Sequence, residues 1–168
     1  MTPWSPGQPE SLTLKEVLRR YQAGPQSGIF TDGSAVPNPG PGGWGVVHVE
    51  QGEIKLQLHG REESTTNNRM ELTALIQAYR AIPADLEVEI YSDSELCVKT
   101  INEWAPQWER NGWKRKSGPI KNLELVQELL RLHRAHRGAQ LKWIKAHNGW
   151  LWNEYADALA TAWMRSEL

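Results

Sequence analysis

Cysteine is nearly absent: Cys97 is the only one in 168 residues. A single thiol excludes an internal disulfide framework and a zinc site built from several thiolates, and it fits a reducing compartment. No apolar run approaches the roughly 20 residues a membrane helix needs. Nor does the N-terminus show a basic stretch followed by an apolar one, so no secretory signal is expected. Aspartate is scarce, limited to Asp32, Asp85, Asp93 and Asp157, and there is one Phe. Glycine and proline, at 14 and 10, are too few for a low-complexity or collagen-like chain. The chain has the commonest length for one domain, and the expectation is a cytoplasmic monomer with no membrane association.

A formal net charge of −1 names no partner, but the charge is unevenly spread. Arg110, Lys114, Arg115, Lys116 and Lys121 fall close together, opposed there only by Glu109. Nine Trp accompany the one Phe, and Trp104, Trp108 and Trp113 stand beside those cations.

Residues 1–27 read as an N-terminal extension and 28–168 as the main domain. Within the extension, Thr13-x-x-Glu16 is a capping box, with Leu12 and Val17 placed as a hydrophobic staple. Leu14, Val17, Leu18 and Tyr21 then follow at helical spacing, and Gly24-Pro25 is the expected stop. A helix this short must dock to persist, either as a brace on the main domain or on a partner.

The main domain opens with strand patterns at 28–31, 44–49 and 54–59, read as an antiparallel meander. A helix over about 68–81 and a strand over 86–92 follow. Next comes a helix over 94–103, with a separate short one begun by Pro106, because the residue before proline resists helix. A basic loop at 112–118, a helix over 123–137, a strand over 141–145 and a helix over 150–164 complete the order. The fold class expected from this is α/β, a mixed sheet with helices on both faces.

Asp32 reads as following the first strand, where Asp-Gly alone is a hairpin signal. The glycine-rich stretch from Asn38 to Gly43 lacks Lys-Ser/Thr and opens no helix, so it is neither a phosphate-cradling loop nor a dinucleotide fingerprint. Asp93 ends the fourth strand, where a helix cap is the competing role, although Ser92 and Ser94 serve that role as well. Glu71 lies in line with Leu75, Ala78 and Ile82 and away from the polar face of Thr73, Gln77 and Arg80. A carboxylate on that side needs a cationic or metal partner. Asp157 lines up with Ala160 and Met164 on an alanine-rich helix, or is an ordinary surface acid. If these four acids converge, hard cations such as Mg²⁺ or Mn²⁺ are what would make them compatible. Such a pair of ions supports in-line displacement at phosphorus. With a basic, Trp-rich segment beside them, the residues point to metal-dependent cleavage of nucleic acid.

Several motifs stand in a specific order. They are Ile29-Phe30-Thr31-Asp32-Gly33-Ser34 with Asn38 through Gly45; Thr65-Thr66-Asn67-Asn68-Arg69-Met70-Glu71-Leu72; and Ser92-Asp93-Ser94. After these come Trp108 with Gly112-Trp113-Lys114; Lys121-Asn122; and Lys145-Ala146-His147-Asn148-Gly149 before Asn153-Glu154 and Asp157. On these residues the chain resembles type 1 ribonuclease H, bacterial branch, over about residues 28–165.

The resemblance implies a ribonuclease H-like fold, a five-stranded mixed sheet ordered 3-2-1-4-5 with strand 2 antiparallel. It also implies hydrolysis of the RNA strand of an RNA–DNA hybrid with two Mg²⁺ ions, Mn²⁺ being an alternative, leaving 3′-hydroxyl and 5′-phosphate ends. Asp32, Glu71, Asp93 and Asp157 match the family's metal-binding carboxylates, and His147 its mobile-loop histidine. Asn38, Asn67 and Glu95 match positions at the hybrid's minor groove and RNA 2′-hydroxyls, the groups that separate RNA from DNA. Thr66 and Asn122 match a pocket for a DNA-strand phosphate. Trp104, Trp108, Trp113, Arg110, Lys114, Arg115, Lys116 and Lys121 match a basic protrusion that attracts phosphates. The chain departs from the family pattern at Pro37, Glu95, Ala146 and Trp150-Leu151-Trp152. Glu95 is expected to project toward the strand end, where its charge would add to the acids.

Overall fold

In the computed structural model, residues 11–168 are described. The first ten residues of the expected extension lie outside the described residues. Five strands form one sheet: β1 (Gly28–Ala35), β2 (Gly40–Glu50), β3 (Glu53–Thr65), β4 (Val88–Ser92) and β5 (Ala139–Trp143). Their order is β3-β2-β1-β4-β5. β2 is antiparallel to both of its neighbours, whereas β4 is parallel to β1 and to β5. The mixed sheet and its order match the expectation.

Helices cover both faces. On one face α2 (Asn67–Arg80), α3 (Glu95–Lys99) and α5 (Leu123–Ala135) bury Leu72, Leu75, Val98, Leu129 and Leu130 against Ile29, Val46 and Ile90. On the other, α1 (Leu14–Arg20) and α6 (Leu151–Ala160) pack Val17, Tyr155 and Leu159 against Phe30, Val47 and Val49. β1 alternates between the two clusters, Ile29 facing one and Phe30 the other, which makes it the buried spine of the molecule.

The capping box of α1 forms as its sequence indicates: Glu16 N–H donates to Thr13 Oγ1 at 3.2 Å, and Thr13 N–H to Glu16 Oε1 at 3.4 Å. The helix stops at Arg20, short of Gly24, and Leu18 remains exposed while Leu14 and Val17 are buried. The expected stripe is therefore narrower than its spacing indicates.

Two local readings are corrected. β1 does not end before Asp32. It runs to Ala35, pairing Asp32 with Gly45, and Gly40, Gly42 and Gly43 lie in β2 rather than in a connecting loop. The reason is tertiary. A Cβ at Gly45 would sit 2.5 Å from Leu159 Cβ and 2.7 Å from the Ala156 carbonyl oxygen, and Gly43 meets Ala160 in the same way, so these two glycines let α6 lie directly on the sheet.

The second correction concerns Pro106. No break precedes it: α3 continues through a π-turn (Thr100–Trp104) into α4 (Ala105–Arg110), and Ala105 is itself helical at φ −61 and ψ −41. Ala105 N–H reaches back five residues to the Thr100 carbonyl, and this wider turn admits a proline at the start of α4.

Gly45→Ala is expected to cost about 1–3 kcal/mol through overpacking between β2 and α6. Urea unfolding of the metal-free protein measures it, and an unchanged midpoint would refute the close-packing role.

Candidate active site

The parallel pairing of β1 with β4 places Asp32 beside the end of β4, where Asp93 follows Ser92 directly. α2 delivers the third acid. Its entry is set by Thr66, whose Oγ1 accepts from Arg69 N–H at 3.2 Å. Its depth is set by Gly33, where a Cβ would lie 2.3 Å from the Met70 carbonyl carbon. With nothing on that Cα, Gly33 N–H donates to Glu71 Oε1 at 2.9 Å. Ser92 Oγ meets Glu71 Oε2 at 3.4 Å from the other side. Asp93 is free of capping duty, because Ser94 caps α3 by accepting from Cys97 N–H at 3.2 Å.

Asp32, Glu71 and Asp93 each offer an oxygen, and the three oxygens lie within 4.8 Å of one another. Asp32 and Glu71 are buried, at 6% and 7% exposure, so their charges are poorly screened. Burial, then the negative charges of Glu71, Asp93 and Asp157, raises the Asp32 carboxyl well above the usual range. Burial likewise raises Glu71, against the bonds it accepts from Asp32 and Gly33. Asp93 is raised by burial too, with Asn153, Asp32 and His147 drawing it down.

Asp157, on α6, stands outside this tight trio but close enough that its charge acts on both Asp32 and Asp93. His147 is exposed on the loop before α6, at φ +52, with Nδ1 3.3 Å from Glu154 Oε1.

Three oxygen-only carboxylates converge here with burial raising the proton affinity of each, and a hard divalent cation would relieve that cost. The donor set therefore suits Mg²⁺ or Mn²⁺. Asp32, Glu71 and Asp93 are the groups placed to hold one.

The residues expected around the acids fall into three neighbourhoods. Asn38 and Asn67 are joined: Asn67 N–H donates to Asn38 Oδ1 at 3.0 Å, and Asn67 Oδ1 accepts from Ala35 N–H at 2.7 Å. Thr66 and Asn122 are joined through Arg69, which bonds Thr66 with its backbone and Asn122 Oδ1 with its guanidinium at 3.1 Å. Trp108 and Trp113 pack on the core while Trp104 stays exposed, its ring 6.3 Å from that of Trp108. The Arg115 guanidinium lies over Trp108 at 5.7 Å, and Arg110, Lys114, Lys116 and Lys121 are exposed.

Glu95 is a correction. It does not turn its charge toward the acids but pairs with Lys99 at 3.0 Å, one turn along α3. An i,i+4 cation was available on the same helix face, and the pairing neutralises the charge locally.

Sequence reasoning left Arg69, Ser92, Asn153 and Glu154 without site roles, although all four lie within the quoted motifs. Asn153 is buried at 2% exposure, and its Nδ2 has no hydrogen bond among the described residues, although it lies against Asp93. Trp143 was missed altogether: half exposed at the end of β5, its indole N–H donates to the Asp93 carbonyl at 3.3 Å.

The family model described as RNase H matches residues 25–165. A curated Ribonuclease H from Cupriavidus pinatubonensis is 47% identical over 133 residues, covering 79% of this chain and 90% of its own length. One from Methylorubrum extorquens is 42% identical over 140 residues, or 83% of this chain; there the match spans 60% of the relative's length. Among solved structures, LC9-RNase H1 superposes with a TM-score of 0.65 at 31% identity, covering 84% of this chain and 74% of that one. LC11-RNase H1, solved in complex with an RNA/DNA hybrid, gives 0.63 at 26% identity, covering 80% and 93%.

A carboxyl whose folded-state pKa is raised stabilises the fold below its unfolded value and loses that contribution as pH rises through the folded one. Metal-free protein should therefore lose stability from roughly pH 4 upward through the Asp32, Glu71 and Asp93 titrations. Asp93→Asn removes part of the repulsion. In chelator, its melting temperature should exceed the parent's by a margin that widens between pH 5 and pH 8 and narrows when Mg²⁺ is added. A margin independent of pH would mean the acids do not repel in the fold.

Proposed function

The chain belongs to the RNase H family of hydrolases, and from that premise we propose that it cleaves the RNA strand of RNA–DNA hybrids with two divalent cations, Mg²⁺ or Mn²⁺. The observation that carries this is the buried trio of Asp32, Glu71 and Asp93, whose oxygens lie within 4.8 Å of one another. Asp157 completes the set of carboxylates that would hold the ions. When bound, such ions activate water and stabilise charge on the leaving oxygen.

The protein's own groups account for the rest of the reaction. Attack of water at phosphorus breaks the P–O3′ bond, leaving a 3′-hydroxyl and a 5′-phosphate. Gly33 N–H and Ser92 Oγ fix both oxygens of Glu71, so that this carboxylate does not swing as charge develops. His147, oriented through Nδ1 by Glu154, keeps Nε2 for moving a proton at the scissile phosphate or easing product release. Asn38 and Asn67, fixed to each other at the start of α2, are suited to the minor groove, where 2′-hydroxyls identify the RNA strand. Thr66, Arg69 and Asn122 form a polar, cationic corner suited to a phosphate of the DNA strand. Trp104, Trp108, Trp113 and the cations from Arg110 to Lys121 attract the backbone further along. No helix of the described residues is long and apolar enough to cross a membrane. The one thiol, Cys97, is free and buried, which fits a reducing compartment such as the cytoplasm.

Incubation with a labelled hybrid, with duplex RNA and duplex DNA as controls, tests the activity directly. Cleavage confined to the RNA strand of the hybrid, dependent on Mg²⁺ or Mn²⁺ and stopped by chelator, is expected. Cutting of duplex DNA would favour a resolvase- or integrase-like activity, and binding without cutting would leave a non-catalytic module.

Asp32→Asn should lower turnover by at least about a hundredfold while hybrid affinity stays close to the parent's. A variant with near-parental turnover would remove Asp32 from the site. Replacing Lys114, Arg115 and Lys116 with Gln should weaken binding and flatten the log-affinity against log-salt slope by up to about 0.9 per charge. An unchanged slope would reduce the segment to a solvated loop.

A further inference from the structure

Residues 11–24 precede the stretch that the family model matches, yet they are built into the molecule against α6. α1 sets Leu14 and Val17 into the apolar cluster that α6 shares. Its first residue is tied down as well, Leu14 N–H donating to the Leu168 carbonyl at 2.8 Å.

Beyond α1 the chain runs along the start of α6. Ala23 forms a parallel bridge with Trp150, and its carbonyl accepts from Leu151 N–H at 2.9 Å. Leu151 opens α6, and the residue at the N-cap, Trp150, supplies no side-chain acceptor. A donor that a helix start leaves orphaned is therefore satisfied by a distant segment. Gln26 Oε1 accepts from Trp152 Nε1 at 3.1 Å. Gly24, at φ +94, approaches so closely that a Cβ there would lie 2.6 Å from Trp150 Cγ. The Trp150 ring in turn meets Tyr91 of β4 edge-on, with centroids 6.1 Å apart.

The same helical turn faces the acids on its other side. Trp150 N–H donates to Asn148 Oδ1 at 3.2 Å, folding the loop back on itself. Glu154 holds His147 at 3.3 Å, and Asn153 lies against Asp93. One turn of helix, 151–154, is thus gripped from behind by 23–26 and in front touches both the loop histidine and a metal-site acid.

We propose that the segment Ala23–Gln26 is a brace that positions the His147 loop and the first turn of α6 for cleavage, with Gln26 and Trp152 as positioning residues. The inference rests on reading the acids and His147 as the active site. The brace has no part in gripping the hybrid, so loosening it lowers turnover rather than substrate affinity.

The test uses the full chain with Gly24→Ala, Gln26→Ala and Trp152→Phe, the last keeping an aromatic ring while deleting its N–H. In metal-free protein, hydrogen exchange at the Leu151 amide should quicken by about tenfold or more, with Val47 in β2 unchanged. Below every variant's melting temperature, kcat on the hybrid should fall about threefold or more while KM stays within about twofold. Gln26→Glu keeps an acceptor for Trp152 but loses the bonds that Gln26 Nε2 donates to the Gln22 and Gly24 carbonyls, so both values should fall between those of Gln26→Ala and the parent. Leu132→Ala, on the opposite face of the sheet, is the control for general destabilisation and should leave kcat within about twofold.

If Gly24→Ala does not fold, Gln26→Ala and Trp152→Phe carry the same expectation. Unchanged exchange at Leu151, or an equal loss of kcat in Leu132→Ala, would overturn the brace. Failure of the parent to cut the hybrid would instead overturn the functional reading. The exchange measurement on metal-free protein would then still decide whether 23–26 holds that turn.

Discussion

Asp32, Glu71 and Asp93 repel one another, and they are held together where water barely reaches. What holds them is the close seating of α2 on β1 at Gly33, together with the parallel pairing of β1 with β4. Burial and mutual repulsion push the same way, toward protonation. The apolar packing on both faces of β1 is what opposes them. Ile29 and Phe30 anchor the strand into separate clusters immediately before Asp32, so the strand has little freedom to carry its acid away. A divalent cation held there would convert this strain into affinity, and occupancy of the site would then be coupled to stability of the fold.

How far the residues announced this arrangement depends on whether the deciding contact was local. Glu71 was legible because helix phase alone put it in line with Leu75 and Ala78, and it is buried. The capping box at Thr13 was legible for the same reason. Asp32 was misread as lying beyond its strand, since Asp-Gly is a turn signal whenever nothing packs on it. Only the proximity of Met70 and Ala160 explains why the glycines at 33 and 43 belong to strands. Pro106 was misread because a proline's usual effect on the preceding residue was applied without the π-turn that relieves it. The charge of Glu95 was assigned to the acids when a lysine four residues on was the nearer partner.

The departures at Trp150 and Trp152 carried no local signal at all. Their partners, Ala23 and Gln26, lie more than a hundred residues earlier in the chain. A motif comparison registers such positions as irregularities in a loop, whereas in the fold they are the surface on which a preceding segment rests. The same holds for Arg69. Its place in a motif was plain, but its bond to Asn122 requires α2 and α5 to be side by side.

The π-turn has a consequence of scale. Because it lets helix continue through Pro106, the stretch from Glu95 to Arg110 is one unbroken rod, and Arg134 of α5 clamps its far end by holding both oxygens of Glu109 at 2.8 and 2.9 Å. The rod begins two residues after Asp93 and ends at the basic loop, a length on the order of 24 Å at about 1.5 Å per residue. It is in effect a rigid spacer: its two ends keep a fixed separation whatever the neighbouring loops do, so any ligand that touched both the acids and the basic loop would have to bridge that distance.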